Sequence, residues 1–420
     1  MYTQGSPYVP PDYLGLQGFR VSGIELREKP GSPGEKIRVV TLDDQRDEHQ
    51  CWHCKRYTSD HFYRESEPIL VRDCSMGDYE TFLEIYPHRV QCCGHSSRER
   101  LPFQMEGFRM TRRFFFRVGA FCHHLAVAVV AKMARLAWDT VARIDKAVIE
   151  LGLGGKEPSI EGLRHLGVDE VSRTGGRIFF TVFTDLETGH VVHIADGRGK
   201  QAVKSFTDRL TKRDMKRIKV TASDMGYFSL LQKAFPRAQH VLDRFHIVKL
   251  ANDRLNEVRR RIFGGAPKDP EGKQFKNGKW LLQTGGENIK GKDKGRLAQL
   301  LELNRPIYRA YILKEELRAI LNYSWKAMWA LRRRLRGWFN SAGWSQLPEF
   351  KSLGKLLRGY AEAIVAGFET DARMGVIEGT NRKIVKLRVT AHGYRMKEYF
   401  KLKIYQRCNL QDSPYAEVIL

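Results

Sequence analysis

The 420-residue sequence is short of acidic side chains. It has 48 Asp and Glu against 72 Lys and Arg, a formal net charge of +24. It also lacks any long hydrophobic run. The longest, residues 118–131, contains His123 and His124 and is too short to span a bilayer, and no signal peptide opens the chain. Cysteine is sparse. The seven residues are mostly clustered, which suits a metal site in a reducing compartment better than a disulfide framework. A membrane protein and a disulfide-stapled secreted domain are thereby set aside. What is present is 42% hydrophobic and 11% aromatic residues, enough for two to four globular domains rather than disorder. The cation excess is spread along the chain and points to a polyanionic partner, hence to a soluble, intracellular protein near nucleic acid.

The stretch 166–224 organises the rest. Leu166-Gly-Val-Asp169-Glu-Val171, Arg177-Ile-Phe-Phe-Thr-Val-Phe183, Gly189-His-Val-Val-His-Ile194 and Ile218-Lys-Val-Thr-Ala222 are short and rich in β-branched and aromatic residues, with turn residues between them. They read as three strands in meander, a helix over 199–215, then a fourth strand ending on Asp224. Asp169 lies inside a strand expected to be buried, where an unpaired carboxylate is costly. Two carboxylates at adjacent strand ends repel until a cation joins them, and a hard, oxygen-liganded cation such as Mg²⁺ suits that pair. The plain alternative makes both aspartates turn or cap residues. A helix from Tyr227 and a fifth strand over 238–242 lead to Asp243 and His246, which share one face of a helix start.

Near the start, Cys51-x-x-Cys54 lets two thiolates converge on one ion. Cys92 with His95 repeats the two-residue gap, with Cys93 as the alternative fourth ligand. This predicts one structural Zn²⁺ in a ribbon. His53 and His61 are read as surface residues, and Cys74, Cys122 and Cys408 as packing residues. Residues 103–150 read as helices. Arg112 and Arg113 crowd the first, and Trp138-Asp139-Thr140 starts the second helix of a helix–turn–helix that presents Arg143 and Lys146 to DNA. An ordinary helical hairpin is the competing reading. Farther on, Trp325, Trp329, Trp338 and Trp344 are read as core rather than as stacking platforms. Glu378 opens a helix with Ile377, Ile384 and Leu387 on its apolar face. Asn381 lies one turn on, and Arg382, Lys383, Lys386 and Arg388 give the opposite face a phosphate-binding character.

The strand order with its two aspartates, together with Asp243-Arg-Phe-His246, Glu378-Gly-Thr-Asn381 and Gly393-Tyr-Arg395, resembles the ISL3 group of bacterial insertion-sequence transposases over roughly residues 50–407. Thr380 departs from the Asn or similar polar residue expected there. The resemblance implies an RNase H-like core of the Asp-Asp-Glu type, in which Asp169, Asp224 and Glu378 hold two Mg²⁺ (or Mn²⁺) about 4 Å apart for two-metal-ion phosphoryl transfer. Asp243, His246 and Asn381 are supporting residues. It further implies binding to double-stranded DNA, both terminal inverted repeats and target, a homodimer or larger assembly on DNA, and a bacterial cytoplasmic, nucleoid-associated location. The alternatives are a transposase-derived regulator that binds without cutting, and an RNase H-like nuclease or resolvase that does not join strands.

The expected organisation is multidomain: an α/β RNase H-like core with an all-α insertion, preceded by a zinc ribbon and a helix–turn–helix. Residues 1–48 are an arm, 49–100 the ribbon and 101–160 the helix–turn–helix. Residues 161–262 are the first part of the core, 263–372 a mainly helical insertion that begins with a loop to 297, and 373–420 the second part with the Glu378 helix.

Overall fold

The computed structural model describes residues 16–59, 62–154, 157–176, 178–263, 278–370, 372–391 and 393–410. Residues 1–15, His61, Arg177, residues 264–277 and His392 lie outside the described residues. The chain divides into two compact units, Met1–Lys156 with Met396–Leu420, and Glu157–Arg395. Among the described residues no helix is long and apolar enough to cross a membrane.

The first unit begins with a hairpin where an arm was expected. Alternating side chains make β1 (Phe19–Lys29) and β2 (Ser32–Asp44) antiparallel partners. Short strands follow: β3 (His49–Gln50), β4 (Tyr57–Thr58), β5 (Phe62–Arg64), β6 (Ile69–Met76), β7 (Tyr79–Ile85), β8 (His88–Cys92) and β9 (His95–Arg98). They form a sheet in the order β1-β2-β7-β6, a three-stranded sheet β5-β8-β9 and the pair β3-β4. Phe19, Val40, Leu42, Val71, Leu83 and Ile85 bury one face of the larger sheet, which is why the hairpin is not free.

Three helices come next, α1 (Arg112–His124), α2 (Val127–Ala134) and α3 (Trp138–Gly152). Thr111 caps α1 by accepting from the Phe114 N–H, and its hydroxyl donates to Asp73 Oδ1 at 2.6 Å. Arg135, left-handed at φ 52°, ends α2 and begins the three-residue turn into α3. α3 starts at Trp138, as its sequence suggests, with Ala137 as its cap and Asp139 in the first turn. A helix from the far end of the chain, Lys397–Asn409, packs on α3. Lys403 Nζ lies 2.9 Å from Asp145 Oδ2 and donates to the Cys122 carbonyl at 2.8 Å; Tyr399 Oη donates to the same carboxylate. Asp145 and Lys403 are both buried. The expectation grouped this helix with Glu378, whereas its partners lie in the first unit. Asp145, otherwise an unpaired buried acid, is the physical reason.

The second unit is built on β10 (His165–Ser172), β11 (Phe179–Asp185), β12 (Val191–Asp196), β13 (Val220–Ser223) and β14 (Gln239–Leu242), in the order β12-β11-β10-β13-β14. The first three are antiparallel; β13 and β14 run parallel to β10. The crossover from β12 to β13 is two helices, α4 (Lys200–Thr207) and α5 (Lys212–Arg217), where one was expected; Thr211 closes a capping box that starts the second. α6 (Met225–Ala234) joins β13 to β14, and α7 (Arg244–Phe263) leaves β14.

A helical layer follows: α8 (Lys279–Gln283), α9 (Lys292–Leu303), α10 (Arg305–Asn322), α11 (Met328–Trp344), α12 (Pro348–Gly359) and α13 (Ala361–Glu369). Leu281 and Leu282 are buried in its core, so residues 278–297 are not the loop that their Gly and Lys content suggests. Of the four tryptophans expected inside, Trp338 is buried and Trp325 half-buried, but Trp329 and Trp344 are 68% and 79% exposed. The buried face of α11 is Leu331, Leu335, Trp338 and Ala342, and both exposed rings lie off it. Last in the unit is α14 (Gly375–Thr390).

Candidate active site and metal centre

The parallel register sets the site. Val168 pairs with Ser223, and Ser223 with Leu242. Asp169, Asp224 and Asp243 therefore stand in one row, each a single residue beyond those partners. Asp224 and Asp243 follow the last residues of β13 and β14, while Asp169 stands beside them inside the longer β10; the carboxyl ends of parallel strands are the usual place for a site in such a sheet. The helix carrying Glu378 crosses this row. Gly167 permits it, because a Cβ there would lie 2.6 Å from Leu186 Cδ2 and 2.9 Å from Ile377 Cγ1. Ile377, Thr380 and Ile384 are the buried side of α14. Thr380, the departure from the family pattern, thus faces inward, where a longer amide would have to be accommodated.

Asp169, 8% exposed, accepts from Asn381 Nδ2 at 2.5 Å and from the Glu170 backbone N–H at 2.7 Å. Burial raises its pKa above the ordinary carboxylate value, against the pull of His246 and Asn381. His246 Nδ1 is 2.9 Å from Asp243 Oδ2, and its Nε2 is 3.7 Å from Asp169 Oδ1. Burial would lower the pKa of His246, but the hydrogen bond to Asp243 and the charges of Asp169, Asp243 and Asp224 outweigh it, and the net shift is upward. Asp224 caps α6, its Oδ1 accepting from the Gly226 and Tyr227 N–H groups at 2.9 and 3.2 Å. Asp243 likewise accepts from the Phe245 N–H at 2.9 Å. Both are cap residues, as the plain alternative had it for Asp224, and both also stand in the carboxylate row. Glu378 pairs with Arg382 one turn on.

A cleft of about 570 Å³ opens over Asp169 and Asp243. Asp169, Asp243, His246, Glu378 and Asn381 line it, with Lys249, Arg382 and Lys386 as its cations; Asp224 lies outside the lining. Lys249 and the exposed Phe245 were not singled out from the sequence, although Lys249 is one turn beyond His246 on the same helix face. Burial disfavours the charged form of Asp169, and a cation beside it would restore that form; carboxylate oxygens are the ligands that hard divalent cations take.

The sequence profile of a family described as transposase, of the ISL3 type, matches residues 166–404, more than half of the chain. The chain belongs to the ISL3 transposase family. It is similar to the transposase for insertion sequence element IS1001 of Bordetella parapertussis, 29% identical over 93% of this chain and 96% of that protein. It is also similar to the transposase for insertion sequence element IS1557 of Mycobacterium tuberculosis, 25% identical over 89% of each chain.

In this transposase the cysteine pairs converge, but not on the expected fourth ligand. The sulfurs of Cys51, Cys54, Cys92 and Cys93 lie within 4.8 Å of one another. Cys51 Sγ is 3.9 Å from Cys93 Sγ, and Cys54 Sγ is 3.5 Å from Cys92 Sγ. Zinc with Zn–S bonds of about 2.3 Å separates tetrahedral sulfurs by about 3.8 Å, so the four fit one ion. The Arg56 backbone N–H, more than the neighbouring thiols, brings the Cys54 pKa down to about 7, toward the thiolate that ligates. His95 instead hydrogen-bonds the Cys93 carbonyl at 2.9 Å and stacks on His53. The reason is the turn. Cys92 pairs with His95 across β8 and β9, leaving Cys93 (φ 46°) and Gly94 (φ 77°) as a two-residue hairpin loop of the type with both φ positive. Cys93→Ala is expected to lose one equivalent of zinc per chain and His95→Ala to lose none, by elemental analysis of protein purified without chelator; the reverse result would restore His95.

The basic residues singled out for DNA divide. Arg143, Lys146, Arg112, Lys383 and Lys386 are exposed. Arg143 covers the Phe108 ring at 5.1 Å, and Lys146 is 3.8 Å from Glu150. Arg113 is held by Asp73, with Nε donating at 2.7 Å, and Arg388 donates to the Ser172 carbonyl at 2.6 Å. These two have structural partners that their spacing in the sequence did not reveal.

Proposed function

We propose that the second unit is an RNase H-like nuclease core that cuts and joins the ends of an insertion sequence, with Asp169, Asp224 and Glu378 as its metal-holding carboxylates. The observation that carries this reading is the register row of Asp169, Asp224 and Asp243 crossed by the Glu378 helix, with Asn381 bonded to Asp169. Two Mg²⁺ or Mn²⁺ bound there would supply a stronger oxygen nucleophile and charge stabilisation at the leaving oxygen. The side chains do the rest. Asn381 fixes the Asp169 carboxylate. Asp243 accepts from His246 Nδ1, so Nε2 faces the Asp169 side and, in the protonated imidazole that the neighbouring carboxylates favour, donates to a phosphate oxygen. Lys249 and Lys386 offer charge to the backbone of a strand in the cleft.

The first unit is proposed to bind the terminal inverted repeats through its helix–turn–helix, beside one structural Zn²⁺ in the cysteine site, with a homodimer or larger assembly forming on double-stranded DNA in the bacterial cytoplasm. Arg143→Ala and Lys146→Ala should each weaken repeat binding and reduce its steep salt dependence by about one counterion. Unchanged binding for both, in a titration across salt concentrations, would move the recognition surface elsewhere. The overall test is incubation with DNA carrying the element's ends and Mg²⁺. Excision and joined products are expected, and Asp169→Asn should abolish both. Binding without cleavage would favour a regulator; cleavage without joining would favour a nuclease or resolvase.

A further inference from the structure

A second group of metal-binding side chains lies in the first unit, apart from the cysteines. Asp44 ends β2, His49 lies in β3, His88 opens β8 and Glu99 follows β9. One ligand atom from each lies within 4.8 Å of the other three. His49 Nδ1 is 3.0 Å from Glu99 Oε2 and 4.0 Å from Asp44 Oδ2. His88 Nδ1 is 3.2 Å from Glu99 Oε1 and 3.5 Å from Asp44 Oδ2. A tetrahedral zinc ion with bonds of about 2.0–2.1 Å separates its ligands by about 3.3–3.4 Å. We propose that Asp44, His49, His88 and Glu99 form a second structural zinc site.

The competing account is a metal-free ion-pair network centred on Arg46, whose guanidinium nitrogen is 2.6 Å from both Asp44 Oδ2 and Glu99 Oε2. Arg46 carries one charge against two. Charge does not separate the two accounts: one protonated imidazole would neutralise this partly buried group, and Zn²⁺ beside Arg46 would leave it at one positive charge. Both imidazoles turn Nδ1 toward the same carboxylates, and their ring centroids are 3.9 Å apart, so protonating both would set two cations in contact. One metal ion uses both nitrogen lone pairs at once. Arg46 then bonds the ligating carboxylates from outside, as the partners of metal ligands commonly do. Four protein ligands, His49 and Glu99 buried and Asp44 and His88 half-buried, are the pattern of a structural site, and the imidazole pair selects zinc over magnesium.

The two zinc positions would be distinct. His88 and Cys92 are the ends of β8, about 13 Å apart at strand rise. The β8–β9 hairpin would thus be fastened at its tip by thiolates and at its base by imidazole and carboxylate. Its base already meets β3 through the Arg100 N–H, which donates to the Gln50 carbonyl at 2.9 Å.

The test is zinc per chain, counted in the full-length Asp169→Asn protein so that zinc bound in the cleft of the second unit is not scored. Two equivalents are expected. Glu99→Gln and His88→Gln should each release one and leave the cysteine site filled. Exchange with cobalt should give two bound ions, of which only one shows a thiolate charge-transfer band. A count of one in the parent protein overturns the proposal, as do two ions that both show thiolate bands, or two that persist in folded His88→Gln. If the variants fail to fold, the count and the cobalt spectrum of the parent protein decide.

Discussion

Replacing Glu378 by Gln should lower strand cleavage and joining by about a thousandfold or more while leaving binding to the terminal repeats intact. The substitution keeps the shape of the side chain and the helix, but removes one negative charge from a cleft proposed to hold two divalent cations. A loss of about 4 kcal/mol of transition-state stabilisation is a thousandfold in rate. The proper controls are Glu362→Gln and Glu369→Gln. Both side chains pair with Arg332, at 2.9 and 3.3 Å, on an exposed surface where solvent screens such pairs. Both should be close to neutral in activity. Asp371 lies outside the described residues and is the remaining neighbour to test. Full activity of Glu378→Gln in a strand-joining assay would remove it from the metal site and shift attention to Asp243, the third member of the register row.

Lys403→Met should destabilise the protein by about 3–5 kcal/mol, because it leaves the Asp145 carboxylate buried without its cation. Burial already pushes the Asp145 pKa up, against the pull of Lys403 and Tyr399. For a unit of this size the loss corresponds to a fall of roughly 10 °C in its unfolding midpoint. The double replacement Asp145→Asn with Lys403→Met should recover a large part of it, since the unpaired charge is then gone. Thermal unfolding of the three proteins measures both effects. A midpoint unmoved by Lys403→Met would mean that the far-end helix does not dock on α3 in solution.

The strands of the second unit were legible because buried strands are written as compact apolar runs between turn residues, and Asp169 stood out as a carboxylate inside such a run. Their register was not. That Asp243 shares a row with Asp169 and Asp224 depends on which residues pair across β13 and β14, and no local pattern states it. The β1–β2 hairpin was missed for a related reason: its alternation is interrupted by Gly and Pro, and only the sheet partner β7 makes it a core element. Cys93 was passed over for His95 because counting gaps along the sequence ignores what a turn with positive φ does to its thiol. The tryptophans show the converse. The spacing Leu331, Leu335, Trp338, Ala342 marks the inner face of α11, and taking that period alone would have put Trp329 and Trp344 outside.

The helix Lys397–Asn409 has a consequence for how the molecule is made. It completes the first unit from the far end of the chain, so the second unit is a long interruption of the first. On the ribosome, α1, α2 and α3 emerge early but wait for Tyr399 and Lys403 until all of the second unit has been synthesised. Until then Asp145 has no cation, and the face of α3 that the last helix covers is open. A product broken anywhere in the second unit carries an unfinished first unit however well its early helices form. Only chains that have been made through both units reach the assembled form, which ties the maturation of the N-terminal helices to the presence of the carboxylate cleft.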